Sequence, residues 1–157
     1  MKIKRLTSIA LIAAVAASLT GCSLQRDVES LQPYAPSDGV NLTLENLKAR
    51  NVLIIQGEGG KAVLIGSFIN STNAEINANI QTTDSNGEAR VANFTVAAGQ
   101  KFDIGYNGVE GLALDLTATP GSMHAVYLSD GSDPIQMLVP VMDGTLAEYA
   151  SIFESLN

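Results

Sequence analysis

The chain of 157 residues has one cysteine, one histidine and no tryptophan, and only 5% of it is aromatic. A single cysteine excludes an intrachain disulfide or a cluster of cysteine ligands, so an exported form depends on its hydrophobic core for stability. The one histidine, His124, has serines near it, but no Gly-x-Ser-x-Gly motif surrounds them. No pair of carboxylates stands out for acid–base chemistry either. We therefore predict that the protein is not an enzyme.

Basic residues are also scarce, with nine Lys and Arg against sixteen Asp and Glu. Three of the nine, Lys2, Lys4 and Arg5, precede an uncharged apolar run at residues 9–17. A cationic start, a short apolar middle and small residues at the end are the layout of a secretory signal. The run is shorter than the roughly 20 residues that a membrane-spanning helix needs. Residues 1–21 are therefore predicted to be a signal peptide.

The predicted signal ends in Leu19-Thr20-Gly21-Cys22, which resembles the lipobox of bacterial lipoproteins. The resemblance implies that a diacylglyceryl group is joined to the thiol of Cys22 and that Cys22 becomes the first mature residue. Two acyl chains meet the requirement of two hydrophobic signals for stable anchoring. We expect the chain to be a lipid-anchored protein of the cell membrane that faces the outside.

Cleavage before Cys22 leaves six basic and sixteen acidic residues, a net charge near −10. So acidic a body argues against nucleic acid as a partner, because nucleic-acid binding needs clustered Lys and Arg. It also argues against a face that lies flat on anionic lipid. Residues 22–39 contain Pro33, Pro36 and Gly39 and are predicted to form a lipidated tether. Residues 40–157 then form one domain.

From residue 40 onward, apolar and polar residues alternate and turn-forming residues recur at short intervals. The pattern predicts eight or nine short strands, and Pro140 suits an edge or a strand end. Residues 145–156 are compatible with a strand or a helix, and their apolar spacing favours a helix. We predict an all-β domain, an antiparallel two-sheet sandwich of immunoglobulin-like or cupredoxin-like type, with a barrel as the alternative. The strands are expected at 40–45, 51–56, 61–71, 74–82, 89–97, 102–106, 111–117, 123–128 and 135–142.

Three methionines, Met123, Met137 and Met142, lie within twenty residues of one another, and His124 is among them. Thioether and imidazole groups are ligands that suit Cu(I). Against this, methionine in a strand commonly fills core space, and the adjacent Met123 and His124 should face opposite ways. We expect no cofactor and keep a Cu(I) site at these four residues as the alternative.

Three segments carry a resemblance to a family: residues 33–39 (PYAPSDG), residues 50–55 (RNVLII) and residues 62–70 (AVLIGSFIN). Together with the lipobox, they resemble small actinobacterial cell-envelope lipoproteins of the LpqE type, which are distantly similar to PCu(A)C copper chaperones. The resemblance implies an envelope location and a sandwich fold. It does not extend to the chaperones' ligand set, which requires a second histidine. We predict an extracytoplasmic lipoprotein that is a binding or accessory module with a protein partner in the envelope, and a Cu(I) chaperone is the alternative.

Overall fold

The computed structural model describes residues 37–106 and 108–154, and Ala35–Asn157 belongs to one compact unit. The described residues form nine strands and one α-helix, with a short 3-10 turn at Glu58–Gly60. The strands are β1 (Val40–Thr43), β2 (Leu47–Gln56), β3 (Lys61–Asn70), β4 (Ile76–Thr83), β5 (Ala89–Val96), β6 (Lys101–Ile104), β7 (Leu112–Asp115), β8 (Met123–Ser129) and β9 (Ile135–Asp143), and the helix is α1 (Ala147–Glu154).

The all-β prediction is confirmed, and the strands lie close to the predicted positions. The largest difference is β2, which begins at Leu47 and runs through a bulge at Asn51, where φ is 50°. Asparagine tolerates such a positive φ better than most residues. The preference for a helix within residues 145–156 is also confirmed by α1. The predicted signal peptide and most of the predicted tether lie outside the described residues.

The strands pair into one mixed sheet in the order β5-β4-β8-β9-β2-β3-β6, with β1 also paired to β2 and β7 to β3. One strand differs from the predicted antiparallel pattern. The first part of β9 is antiparallel to β8, and its last part, from Val141, is parallel to β2. Pro140 lies at this change of partner, so it falls within a strand that has neighbours on both sides rather than at an edge or a strand end.

The main core lies between the β5-β4-β8-β9 half of the sheet and the β2–β3 half. Alternate side chains of β4, such as Ile76, Ala78 and Ile80, point into it. The rings of Phe94 and Phe102 stack there with centroids 5.1 Å apart, and Phe68 packs against Phe94 at 4.6 Å. Aromatic pairs with ring centroids at these distances add stability beyond the area they bury.

A second, smaller core lies on the outer side of β2 and β3. Leu53, Ile55, Val63 and Ile65 point outward there and are fully buried. Their cover is α1, which packs Tyr149, with Ile152 and Phe153, against them. Because both faces of β2 and β3 are buried, their sequences are continuous apolar runs rather than alternating ones.

Two polar groups connect the halves of the fold. The buried Asn70 amide at the end of β3 donates to the carbonyl oxygens of Ala74, Val96 and Ala97 at 2.7, 2.9 and 3.2 Å. Its oxygen accepts from the backbone N–H and the hydroxyl of Thr72, both at 2.8 Å. Asn70 therefore fixes the crossover from β3 to β4.

The second connection is at the β4–β5 turn, where the side chain of Asp84 is fully buried. Burial acts to raise the pKa of this carboxyl. The N–H groups of Glu88 and Asn86 and the Arg90 guanidinium donate to it and together hold its pKa below the ordinary value. Arg90 also lies 3.5 Å from a carboxylate oxygen of Asp115 on β7. This ion-pair cluster joins the turn to the opposite half of the fold.

Candidate functional site

The predicted lipid-attachment residue, Cys22, lies outside the described residues, so lipidation stays a prediction. Within residues 37–106 and 108–154, no helix is long and apolar enough to cross a membrane.

His124 of the predicted copper site is engaged by its own neighbours. Its Nε2 atom lies 2.8 Å from the hydroxyl oxygen of Thr82 and 3.1 Å from the carbonyl oxygen of Thr83. Because the Thr82 hydroxyl donates its hydrogen to the carbonyl oxygen of Ala125 at 2.8 Å, Nε2 is the donor toward both Thr oxygens. A protonated Nε2 does not bind a metal ion, which leaves only Nδ1 for that role.

The three methionines lie in different parts of the fold. Met123 is 53% exposed on the outer side of β8, whereas Met137 is buried in the main core. Met142 packs against the second core, beneath α1. The structure thus places these methionines in three environments and does not gather them around His124. In the part of the chain that the structure describes, no group of three His, Cys, Asp or Glu side chains is placed to hold a metal ion.

The most distinctive surface is the outer side of β5, β4, β8 and β9, which we call the uncharged face. Cross-strand pairs define it, because directly paired residues point to the same side of a sheet. None of its fifteen side chains carries a charge. The members are Asn77, Asn79, Gln81, Thr83, Ala89, Val91, Asn93, Thr95, Met123, Ala125, Tyr127, Ser129, Gln136, Leu138 and Pro140.

Polar and apolar residues separate on the uncharged face. One end is amide-rich: Asn77, Asn79, Asn93 and Thr95 surround a shallow depression of about 260 Å³. The other end is apolar and includes Met123 and Leu138, each 53% exposed. Between them, Gln81 on β4 pairs with Tyr127 on β8 in a row that crosses the sheet. The face therefore offers hydrogen-bonding groups beside an apolar surface.

Most of the amides on this face are unused by the protein. The Thr95 hydroxyl donates to the Asn77 oxygen at 2.8 Å. Within the described ranges, the side-chain amides of Asn79, Gln81, Asn93 and Gln136 make no hydrogen bond to protein. Their backbone is held on paired strands, and their side-chain donors and acceptors are available to a ligand.

A second concavity, of about 660 Å³, lies between the turn after β2, strand β7 and helix α1. Its floor is apolar, with Ala62, Leu114 and Phe153, and the exposed charged residues Glu58 and Lys61 line it as well. None of the described residues that line it is a histidine, serine or cysteine.

The sequence contained a signal for the uncharged face that the interpretation above did not use. In β4 (INANIQTT), the apolar residues alternate with Asn77, Asn79, Gln81 and Thr83 and never with a charged residue. β5 repeats this at Val91, Asn93 and Thr95. Half-buried strands in a strongly acidic protein ordinarily carry charges at outward positions, so this absence of charge was the available signal.

No protein-family model matches the chain, and a comparison with curated proteins finds no match. Among solved structures, the chain is similar to the solution structure of CsgH from R. palustris. The two share 20% sequence identity over 57% of this chain and 91% of that chain, with a TM-score of 0.30. A likeness this distant supports no inference about the function of the present chain.

Proposed function

We propose that the protein is a non-enzymatic accessory binding module of the cell envelope and that the uncharged face is its binding surface. The observation that supports this is the absence of charge on the outer side of four strands in a mature chain predicted to carry a net charge near −10. Binding there removes no ionised group from water, which is the costliest part of desolvating a protein surface. Charged residues are likewise depleted at the centres of protein interfaces.

The cellular location of the protein is part of the same proposal. Lipid on Cys22 holds the chain at the outer side of the cell membrane, and residues 22–39 act as the spacer. Its last two residues, Asp38 and Gly39, are bonded to the domain through Tyr149 and Asn51. The domain is of immunoglobulin-like or cupredoxin-like type, and its envelope location agrees with the resemblance to LpqE-type lipoproteins. Mass spectrometry of the protein from its own cells tests the anchor. The acyl mass is expected on wild type and absent from Cys22→Ala, and an unacylated wild type would contradict the anchor.

Binding is tested without knowledge of the partner by sedimenting residues 35–157 with envelopes isolated from the protein's own cells. This fragment matches the compact unit and lacks the lipid, so retention reports the domain alone. We expect saturable retention that falls at least tenfold in the double variant Asn79→Asp, Leu138→Asp. Val109→Asp is the control, since Val109 is 40% exposed outside the face. Equal retention of both variants would refute the uncharged face as the binding surface.

The alternative, a Cu(I) chaperone, is not favoured by any observation of the structure and stays a prediction. Titration of the fragment with Cu(I) against a competing chelator decides it. Uptake that is lost in the double variant His124→Ala, Met137→Ala would restore this hypothesis.

A further inference from the structure

The chemistry of the uncharged face says which kind of partner it suits. We propose, as a refinement of the function above, that the partner is a neutral polysaccharide of the cell envelope. The amide-rich end would hold sugar hydroxyls, and Tyr127 would contact the apolar side of a sugar ring.

Hydrogen-bonding capacity is the first reason. A sugar hydroxyl both donates and accepts, and a primary amide has two donors and a carbonyl acceptor. Asn79 and Asn93 are directly opposite each other across β4 and β5, and neither amide bonds to protein within the described ranges. Neighbouring strands are about 4.8 Å apart, so the two amides can engage adjacent hydroxyls of one sugar chain.

The next row of side chains across the face provides contacts for further sugars of the same chain. Val91, Gln81, Tyr127 and Gln136 follow one another across the four strands. The row alternates an apolar side chain with an amide, and Tyr127 is partly exposed in it. An aromatic ring packs against the apolar side of a ligand, and neighbouring polar groups fix the orientation of the ligand. Small-molecule sites usually combine these two kinds of group. A linear chain lying across the strands would meet these groups in turn.

Charge and size exclude the main alternatives. A polyanion would be repelled by a chain with a net charge near −10. The face has fifteen side chains. A standard protein interface has about 20–30 residues on each partner, so the face alone is smaller than the interface of a stable protein complex. A sugar chain is narrow enough to be bound within it.

The test uses the neutral polysaccharide fraction of protease-treated envelopes, collected as the material that an anion-exchange column does not retain. It is titrated into ¹⁵N-labelled residues 35–157, with the retained, acidic fraction in parallel. We expect shifts confined to amides of β4, β5, β8 and β9 with the neutral fraction only. The double variant Asn79→Leu, Asn93→Leu should bind at least tenfold more weakly, and Val109→Ala should bind like wild type.

The outcomes separate this proposal from the one on which it rests. If the fragment binds envelopes but neither polysaccharide fraction, and protease treatment abolishes retention, the partner is a protein; the polysaccharide proposal then fails while the binding module stands. Shifts outside the four strands, or equal binding by the double variant, also overturn the polysaccharide proposal. If the fragment binds neither envelopes nor polysaccharide, both proposals fail.

Discussion

The two outer faces of the sheet contrast in what covers them. On β2 and β3, aliphatic side chains such as Ile55 and Ile65 point outward and are fully buried under α1. On β4 and β5, the outward positions are amides, hydroxyls and small apolar groups, and nothing in the described chain covers them. Both pairs of strands have a buried inner face. The identity of the outward residues therefore decides whether a face needs a cover or can remain in water.

The contrast also explains where binding can occur. The cover on β2 and β3 belongs to the chain itself and leaves the outward aliphatic side chains, such as Ile55 and Ile65, with no exposed surface. It therefore contributes to the stability of the fold. We expect the uncharged face to contribute less to stability, because most of its side chains are exposed or only partly buried. Matched substitutions on the two faces test this division directly.

The largest difference is expected for aliphatic residues. Ile65→Ala, beneath α1, should lower the free energy of unfolding by about 2–5 kcal/mol, because it opens a cavity in a fully buried site. Leu138→Ala, on the uncharged face, should change it by less than about 0.5 kcal/mol, since Leu138 is 53% exposed. Equilibrium unfolding in urea measures both. Similar losses would contradict the division between the faces, because Leu138 would then be as buried as Ile65 or α1 would not cover Ile65.

Two asparagines give the next comparison. Asn70→Ala should cost about 2–3 kcal/mol, because the buried contact to the Val96 carbonyl oxygen is lost and the Thr72 N–H loses its acceptor. The carbonyl oxygens of Ala74 and Ala97 each lose one of two donors. Asn79→Ala removes an amide that has no protein partner within the described ranges, so it should be nearly neutral for stability. The same urea experiment compares them. A neutral Asn70→Ala would show that water replaces the amide and that the β3–β4 crossover does not depend on it.

The local structure was largely predictable from the sequence. Strict alternation in β4 and turn residues such as Asn86-Gly87 locate the strands, because these signals involve neighbours along the chain. The preference for helix at α1 likewise follows from local spacing. The pairing of β9 with both β8 and β2 was not predictable, because it depends on residues far apart in sequence.

The candidate site was predictable only in part. The absence of charge at outward positions of β4 and β5 is visible in the sequence, but the row Val91, Gln81, Tyr127, Gln136 exists only once β8 is placed beside β4. For the predicted methionine and histidine site the difficulty is the opposite one, because proximity in the sequence predicted a site that the fold does not form. Met123, His124 and Met137 are close in sequence, yet strand alternation and register send them to separate surroundings.

The junction between the two halves is expected to respond to acid. The pKa of Asp84 is held below its ordinary value, so its contribution to stability is present above the unfolded-state pKa near 3.9 and is lost as pH falls through the lower, folded-state pKa. Asp84→Asn should be less stable than wild type at pH 7 and should lose less stability between pH 5 and pH 2. Thermal unfolding across this range measures both effects.

The partner of Asp84 supplies the control for this prediction. Arg90→Gln removes one donor to the carboxylate, and combining it with Asp84→Asn should cost less than the sum of the single changes, because both remove the same ion pair. Strict additivity would show that Asp84 is stabilised by the turn N–H groups alone. The junction with β7 would then not depend on the ion pair.

The smallest expected change in stability distinguishes two tyrosine substitutions. The Tyr149 hydroxyl on α1 donates to the Asp38 carboxylate and so ties the covering helix to the segment before β1. Burial and this carboxylate both raise the pKa of Tyr149. Tyr149→Phe should cost about 1 kcal/mol, because a hydrogen bond to an exposed carboxylate is partly replaced by water. It should also speed amide exchange at Gly39, whose N–H bonds to Asn51 beside this contact. Tyr127→Phe, on the uncharged face, should change neither quantity. If Tyr127→Phe were the more costly of the two, the uncharged face would be contributing to stability, and the division of roles between the two faces would be wrong.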